Sequence, residues 1–446
     1  MNYTYKQIWL INLPVMMSIL MEQLINITDA VFLGHVGEIE LGASALASIY
    51  YLAIYMLGFG FSLGLQVMVA RRNGELHYED TGRTFIQGLF FLVILSMCLC
   101  GLSQWASPHI LKYFIQSADI YHSAVDYIYW RSWGLLFSFP FLAFRAFYVG
   151  IIRTKVLSWA ALIAVLINIP CNYLFIFSLE WGISGAALAS SLSEAASFIM
   201  MLFYTLYYMD KNKYGLKIKY NGRLLKKLLQ LSVWSMMHSF ISMVPWFLFF
   251  VAIERLGETS LAASNITRSV STVFFVLVSS FAATTGSLVS NLIGAGEGKL
   301  IFSVSNKVLK LGYGVGLPLV VLAMLFARPI IGFYTDSAIL VEVTYIPFFV
   351  MLVNYVFGLP GYVYISMVTG TGNTRLAFIF QVVTIIVYLG YLYVLSCCFT
   401  MPLAVYLTAE YVFVILLGVQ SYVYLKRYVG STGRPHGNKS KLETTK

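Results

Sequence analysis

The chain has 446 residues, 59% of them hydrophobic and only 11% charged, with a mean hydropathy of +0.79 and a formal net charge of +10. A chain so apolar has too little polar surface to cover itself in water, which excludes a soluble globular fold. The positive charge alone would also suit a nucleic-acid partner, so the placement of the basic residues has to decide between nucleic acid and membrane.

Continuous apolar stretches recur near residues 8–35, 46–70, 86–106, 127–149, 155–177 and 182–208, then near 228–253, 262–292, 308–328, 342–369, 376–398 and 400–425. Each is close to the roughly 20 residues that cross about 30 Å of hydrocarbon. The pattern predicts an all-α polytopic membrane protein with twelve transmembrane helices. Because the runs are unbroken rather than alternating, a transmembrane β-barrel is excluded. The first run is too long for a signal peptide and lacks a small-residue cleavage site, so it reads as mature protein. Cys98, Cys100, Cys171, Cys397 and Cys398 all fall within spans, where thiols act as small packing residues. No disulfide, metal cluster or cofactor is expected, and no HExxH or paired-cysteine spacing is present.

With the N-terminus in the cytoplasm, the cytoplasmic side holds Lys6, Arg71, Arg72, Arg83, Arg153, Lys155, the run from Lys211 to Lys227, Lys299, Lys307, Lys310, Arg375 and the tail from Lys426. The opposite loops hold Lys112, Arg255 and Arg328. This is the positive-inside asymmetry, and it predicts an inner-membrane protein with both termini cytoplasmic and no nucleic-acid partner. The stretch KNKYGLKIKYNGRLLKK divides the spans six and six, giving an N-lobe at 1–210, a basic linker at 211–227, a C-lobe at 228–426 and a tail at 427–446.

The two halves resemble one another at an offset of 220 residues: GEIELGAS at 37–44 aligns with GETSLAAS at 257–264, and VGIIRTK at 149–155 with TGTGNTR at 369–375. An even number of spans in each half makes the repeat parallel, related by an axis along the membrane normal. Two such lobes suggest alternating access around a central substrate site, within a single chain that suffices as a monomer.

Ionisable groups inside spans are the informative ones, since a charge at a helix centre costs about 2.5–3.5 kcal/mol or more to insert. Asp29, in EQLINITDAVFLGHVG, has no neutralising neighbour in sequence. It is either an ion-exchanging carboxylate or a structural one paired with Arg131 or Arg268. In NIPCNYLFIF, Asn168 and Asn172 stand four apart on one face around Pro170, and Ser190 in GISGAALASSLSEA could add a hydroxyl oxygen. These polar groups are either cation ligands or helix-packing contacts. Glu22, seven residues before Asp29, and Glu194, four after Ser190, are candidates to line a cavity that attracts organic cations.

Pro14 followed by Asp29, the LGHVG turn, YVGIIRTK, NIPCNYLFIF and WGISGAALAS together resemble the N-lobe of the multidrug and toxic compound extrusion family, and the resemblance extends over essentially the whole chain. It implies a cation site made by Asp29, Asn168, Asn172 and Ser190, with helix 1 bending near Pro14. One branch of that family has a second aspartate at the Asn172 position, so the single carboxylate here weakens the case for tight sodium binding and makes protonation of Asp29 more attractive. The C-lobe departs further, because the glutamate of helix 7 and the aspartate of helix 10 found in other branches are absent. Glu410, which the offset lays on Ser190, either replaces the missing carboxylate or holds two helices together.

The resemblance implies antiport of small amphipathic, chiefly cationic molecules against protons or sodium ions. A flippase for lipid-linked oligosaccharides would need several cavity cations to hold pyrophosphate, and few arginines lie within the spans. No paired carboxylates, metal motif or nucleophile beside a base supports an enzyme, and the repeat fits occluded exchange better than a channel.

Overall fold

The computed structural model describes residues 3–432 except Gln116, Ile218, Arg255, Asp336, Phe399 and Thr400. The N-lobe comprises α1 (Tyr5–Val36), α2 (Glu38–Gly74), α3 (Tyr78–Phe114), α4 (Ala118–Ser132), α5 (Leu135–Gly150), α6 (Lys155–Tyr173) and α7 (Gly182–Tyr208). The C-lobe comprises α8 (Gly222–Ile241), α9 (Val244–Glu254), α10 (Glu258–Gly294), α11 (Ile301–Leu325), α12 (Ala327–Gly332), α13 (Ala338–Gly370), α14 (Thr374–Cys398) and α15 (Leu403–Thr432). Among the described residues, eleven helices are long and apolar enough to cross a membrane, and the bent pair α4 and α5 makes a twelfth span. The chain is therefore a multi-pass membrane protein built as two six-span lobes.

The helices outrun the apolar stretches that signal them. Both α2 and α3 have 37 residues, about 55 Å at 1.5 Å per residue, against a hydrocarbon core of about 30 Å. Hydropathy marks only the part in lipid, while the helices continue into the interface on polar residues such as Arg71 and Arg72. The fourth span is broken at Trp133–Gly134, with a 49° bend between α4 and α5. The seventh breaks at Ser242–Met243, where Pro245 sits in the first turn of α9 and its missing N–H costs no helical bond. By contrast α1 is continuous through Pro14, opened by a Thr4–Gln7 capping box.

The linker is shorter than its basic run, because α8 already begins at Gly222. Gln87 of α3 ties it down: its Nε2 donates to the Lys219 carbonyl at 2.7 Å and its Oε1 accepts from the Asn221 N–H at 2.9 Å. The C-lobe extends beyond 426 to Thr432, and the tail from 433 lies outside the described residues. Cys98, Cys100 and Cys171 are free thiols; Cys397 and Cys398 end α14, with side chains outside the described set.

The internal repeat is carried through to the bounds of the helices, since α10 begins and ends 220 residues after α2. One apolar core lies around Phe61, Phe85, Phe139 and Phe147 in the first lobe and another around Phe281, Phe348, Leu359 and Tyr388 in the second, the latter joined by Tyr3 and by Ile8, Ile11 and Met16 of α1. Among the described residues, the hydrogen bonds between lobes lie toward the end of the bundle that carries the termini. Asn12 Oδ1 accepts from Thr284 Oγ1 at 2.9 Å, Asn73 Nδ2 donates to Asn291 Oδ1 at 2.8 Å, and Asn291 Nδ2 donates to the Gly150 carbonyl at 2.9 Å. Ser290 and Ser287 donate to the Val67 and Val149 carbonyls, each at 2.7 Å. The α2 and α10 backbones touch there through paired glycines: a Cβ on Gly74 would strike the Asn291 carbonyl, and one on Gly294 the Arg71 carbonyl. The lobes are thus joined at the terminal end and part toward the other.

Because Gly74 permits that contact, Gly74→Val should wedge the closed end apart. Maleimide labelling of a cysteine placed at the fully buried Ser290, read by site-resolved mass spectrometry, should accelerate at least about tenfold over the Gly74 parent.

Candidate functional site: a carboxylate cluster in the N-lobe

Three helices bring the predicted residues together. On α1, Glu22 and Asp29 are seven residues apart and share a face; on α6 Asn168 and Asn172, and on α7 Ser190 and Glu194, do so at a separation of four. After Asn172 the ladder loosens into a π turn at Leu174–Ser178, a local rearrangement common at functional positions.

Asp29 accepts from three neutral donors. Asn172 Nδ2 reaches its Oδ1 at 2.6 Å and Asn168 Nδ2 the same oxygen at 3.2 Å, while Ser190 Oγ donates to Oδ2 in a short contact. Asn172 Nδ2 also donates to Asn168 Oδ1 at 3.1 Å. Asn168 and Asn172 are fully buried, and Asn172 Oδ1 has no hydrogen-bond partner among the described residues. An unpaired buried amide oxygen is costly to leave without a partner.

Neither arginine considered as a partner for Asp29 takes that role. Arg131 is committed to Glu194 in a two-pronged pair, Nη2 to Oε1 at 2.6 Å and Nη1 to Oε2 at 2.9 Å, and lies 4.0 Å above the Tyr51 ring. Tyr51 Oη donates to the same carboxylate at 3.4 Å. Gly134, at the break between α4 and α5, makes room for the pair, since a Cβ there would strike both Arg131 Nη1 and Glu194 Oε2. Arg268 belongs to the other lobe.

Asp29, Glu22, Tyr51, Tyr55, Arg131 and Glu194 line one cavity of about 460 Å3 inside the N-lobe. Glu22 opens into it without an ion pair among the described residues. Arg145, near the end of α5 and a natural candidate to extend toward the interface, instead lies 5.5 Å over the Phe59 ring. Pro14 is buried in α1, fifteen residues before Asp29. Glu410 is in the C-lobe on α15, where Tyr388 Oη donates to it at 3.3 Å. Tyr51 and the Arg131–Glu194 pair were not legible as a unit, because 63 residues separate the two charges and no local spacing links them.

A two-lobed bundle of repeated six-span halves, with a carboxylate cluster on a cavity wall, is the architecture of a secondary transporter rather than an enzyme. The MatE family model matches the chain twice, at residues 14–174 and 235–394, and the chain belongs to that family of membrane transporters. The two matches fall on the two lobes. "Probable multidrug resistance protein NorM" of Photorhabdus laumondii is 24% identical over 359 residues, covering 78% of both chains. "Multidrug and toxin extrusion protein 1" of Rattus norvegicus is 26% identical over 297 residues, 64% of this chain and 50% of that one. Among solved structures, an outward-facing multidrug resistance MATE family transporter of the MOP superfamily superposes with a TM-score of 0.90 at 18% identity, covering 96% of each chain. A MOP superfamily transporter from Pyrococcus furiosus gives 0.89 at 18%, covering 97% of each.

Removing Arg131 would strand Glu194 in a partly dry site, at a cost of about 3 kcal/mol. Arg131→Gln should therefore lower the thermal midpoint in detergent by several degrees, and Arg131→Gln combined with Glu194→Gln should recover most of the loss.

Proposed function

We propose that this transporter exports small amphipathic, chiefly cationic molecules across the inner membrane in exchange for protons, with Asp29 as the group that takes up the coupling ion. The observation that carries this reading is the set of groups bonded to Asp29: three neutral donors, no cationic side chain in direct contact among the described residues, and a cavity on its exposed side. A carboxylate neutralised by an arginine would have little reason to exchange an ion; Asp29 has no such partner.

Proton uptake by Asp29 removes the charge that its three donors serve, releasing the Asn168 and Asn172 amides and the Ser190 hydroxyl to repack between α1, α6 and α7. A sodium ion would use the same set through oxygen ligands, Asp29 with Asn168 Oδ1, Asn172 Oδ1 and Ser190 Oγ. With one carboxylate rather than two, the site favours the proton. Whichever ion binds, it must prefer one arrangement of the lobes, or its binding would shift nothing. A membrane potential adds about 2.3 kcal/mol per charge per 100 mV to each inward-moving ion.

The substrate class follows from the cavity. Glu22 offers an accessible negative charge and Tyr51 and Tyr55 offer aromatic faces, a combination that suits an organic cation. The relatives' multidrug names agree with this reading. With the termini cytoplasmic, as the basic residues suggest, the joined end faces the cytoplasm and the parted end faces outward. A lipid-linked oligosaccharide carrier would want free cations for its pyrophosphate, whereas the cavity's Arg131 is already neutralised.

The test is dye efflux from energised vesicles carrying wild type, Asp29→Asn or Glu22→Gln, with proton and sodium gradients imposed separately. Proton-driven efflux should fall at least about tenfold in Asp29→Asn, and Glu22→Gln should raise KM for cationic dyes roughly tenfold while sparing neutral ones, the scale of one charge-assisted contact. Efflux driven by sodium alone would reassign the ion; none under either gradient, across several cationic dyes, would overturn the reading.

A further inference from the structure

The joined end of the bundle carries two contacts that the offset of 220 residues relates to one another. Asn291 of α10 corresponds to Arg71 of α2, and Thr371, the residue after α13, corresponds to Ile151, the residue after α5. In one direction across the lobes, Asn291 Nδ2 donates to the carbonyl of Gly150, the last residue of α5, at 2.9 Å. In the other, Arg71 Nη2 donates to the Thr371 carbonyl at 2.5 Å. Each lobe thus reaches across to cap the C-terminus of a helix in its partner.

The two caps differ in kind. Asn291 is neutral and divides its amide, donating also to the Ser287 carbonyl of its own helix at 2.9 Å. Arg71 brings a full positive charge to the negative end of α13, so its bond is charge-assisted and favoured by the helix dipole. Gly372 makes room for it: its φ of +86° turns the chain out of α13, and a Cβ there would stand 3.2 Å from Arg71 Nη2 and 3.3 Å from Nη1. Arg71 Nε, however, is buried with no hydrogen-bond partner among the described residues. An unmet buried N–H raises the energy of the joined arrangement, so the guanidinium is held by one nitrogen without being fully satisfied. That is the condition of a contact that can be released.

We propose that Arg71 is the gating residue of the joined end, a latch whose bond to the end of α13 sets how often the lobes part there. On parting, the guanidinium and the Thr371 carbonyl both pass into water, so release needs no new partner in the protein. This role rests on the alternating-access reading only in supposing that this end opens, and not on the substrate or the coupling ion.

The test uses the full-length protein in detergent with Ser290→Cys as reporter, since the Ser290 hydroxyl is fully buried and points across the seam to the Val67 carbonyl. Maleimide labelling is followed cysteine by cysteine by mass spectrometry, with native Cys100, 5% exposed within the N-lobe, reading any general loosening. Arg71→Ala should speed labelling of the reporter at least about tenfold, the scale of one charge-assisted bond, and leave Cys100 unchanged. Arg71→Lys, which keeps the charge and a donor, should fall between wild type and Arg71→Ala. Equal acceleration at both cysteines would make Arg71 a cap that merely stabilises the fold, and would overturn the proposal. If Gly74→Val accelerates the reporter and Arg71→Ala does not, the end parts but Arg71 does not hold it, and the latch alone is refuted. If neither accelerates it, the reading that this end parts falls as well. Should Arg71→Ala yield no folded protein, Arg71→Gln is judged by the same criteria, and failure of both to fold refutes a gating role.

Discussion

Hydrocarbon tolerates an ionised side chain only when something in the protein meets its charge, and the site geometry depends on how each lobe meets that demand. The N-lobe does so in two ways on the wall of one cavity. Glu194 receives the forked guanidinium of Arg131, while Asp29 receives three neutral donors from Asn168, Asn172 and Ser190. The first arrangement fixes a charge in place. The second supports a charge without neutralising it, which is the condition an ion-exchanging carboxylate requires.

The two arrangements are connected through the cavity they share. With Arg131 held over Tyr51 and against Glu194, the guanidinium is committed to that pair rather than to Asp29. The break between α4 and α5 contributes here, because it puts Gly134 where any side chain would collide with the pair. A kink that interrupts a span therefore serves the electrostatics of the site as well as the path of the chain.

Alternating access needs lobes that can separate, and the contacts between them suit that need. They include short polar bonds and glycine-mediated backbone contact at one end, such as Asn73 with Asn291 and Gly74 against the Asn291 carbonyl, beside apolar packing of α1 residues such as Ile8 and Ile11 on the second lobe. Most of each core lies within its own lobe, and α1 with the segment before it lends Tyr3, Ile8, Ile11 and Met16 to the core of the second. The pseudo-twofold relation of these contacts follows from the repeat, in which α2 and α10 keep the same bounds at an offset of 220 residues.

Much of this was legible in the residues themselves. Composition required a membrane, the apolar runs counted the spans, and a fixed offset revealed the repeat, because hydropathy and periodicity are local properties that survive in a linear string. Asp29, Asn168, Asn172 and Ser190 could be singled out because polar groups in apolar helices are costly and so conspicuous. Which of them meet, and which arginine they avoid, was decided only by tertiary packing: Asp29 and Ser190 lie 161 residues apart, and Arg131 finds Glu194 across 63. Helix ends and the breaks at Trp133–Gly134 and Ser242–Met243 were hidden as well, since hydropathy reports burial in lipid rather than helical conformation. The sequence by itself determined the spans, the two lobes and the candidate charges; the fold decided their partners, because partnership in a bundle depends on which helix faces which.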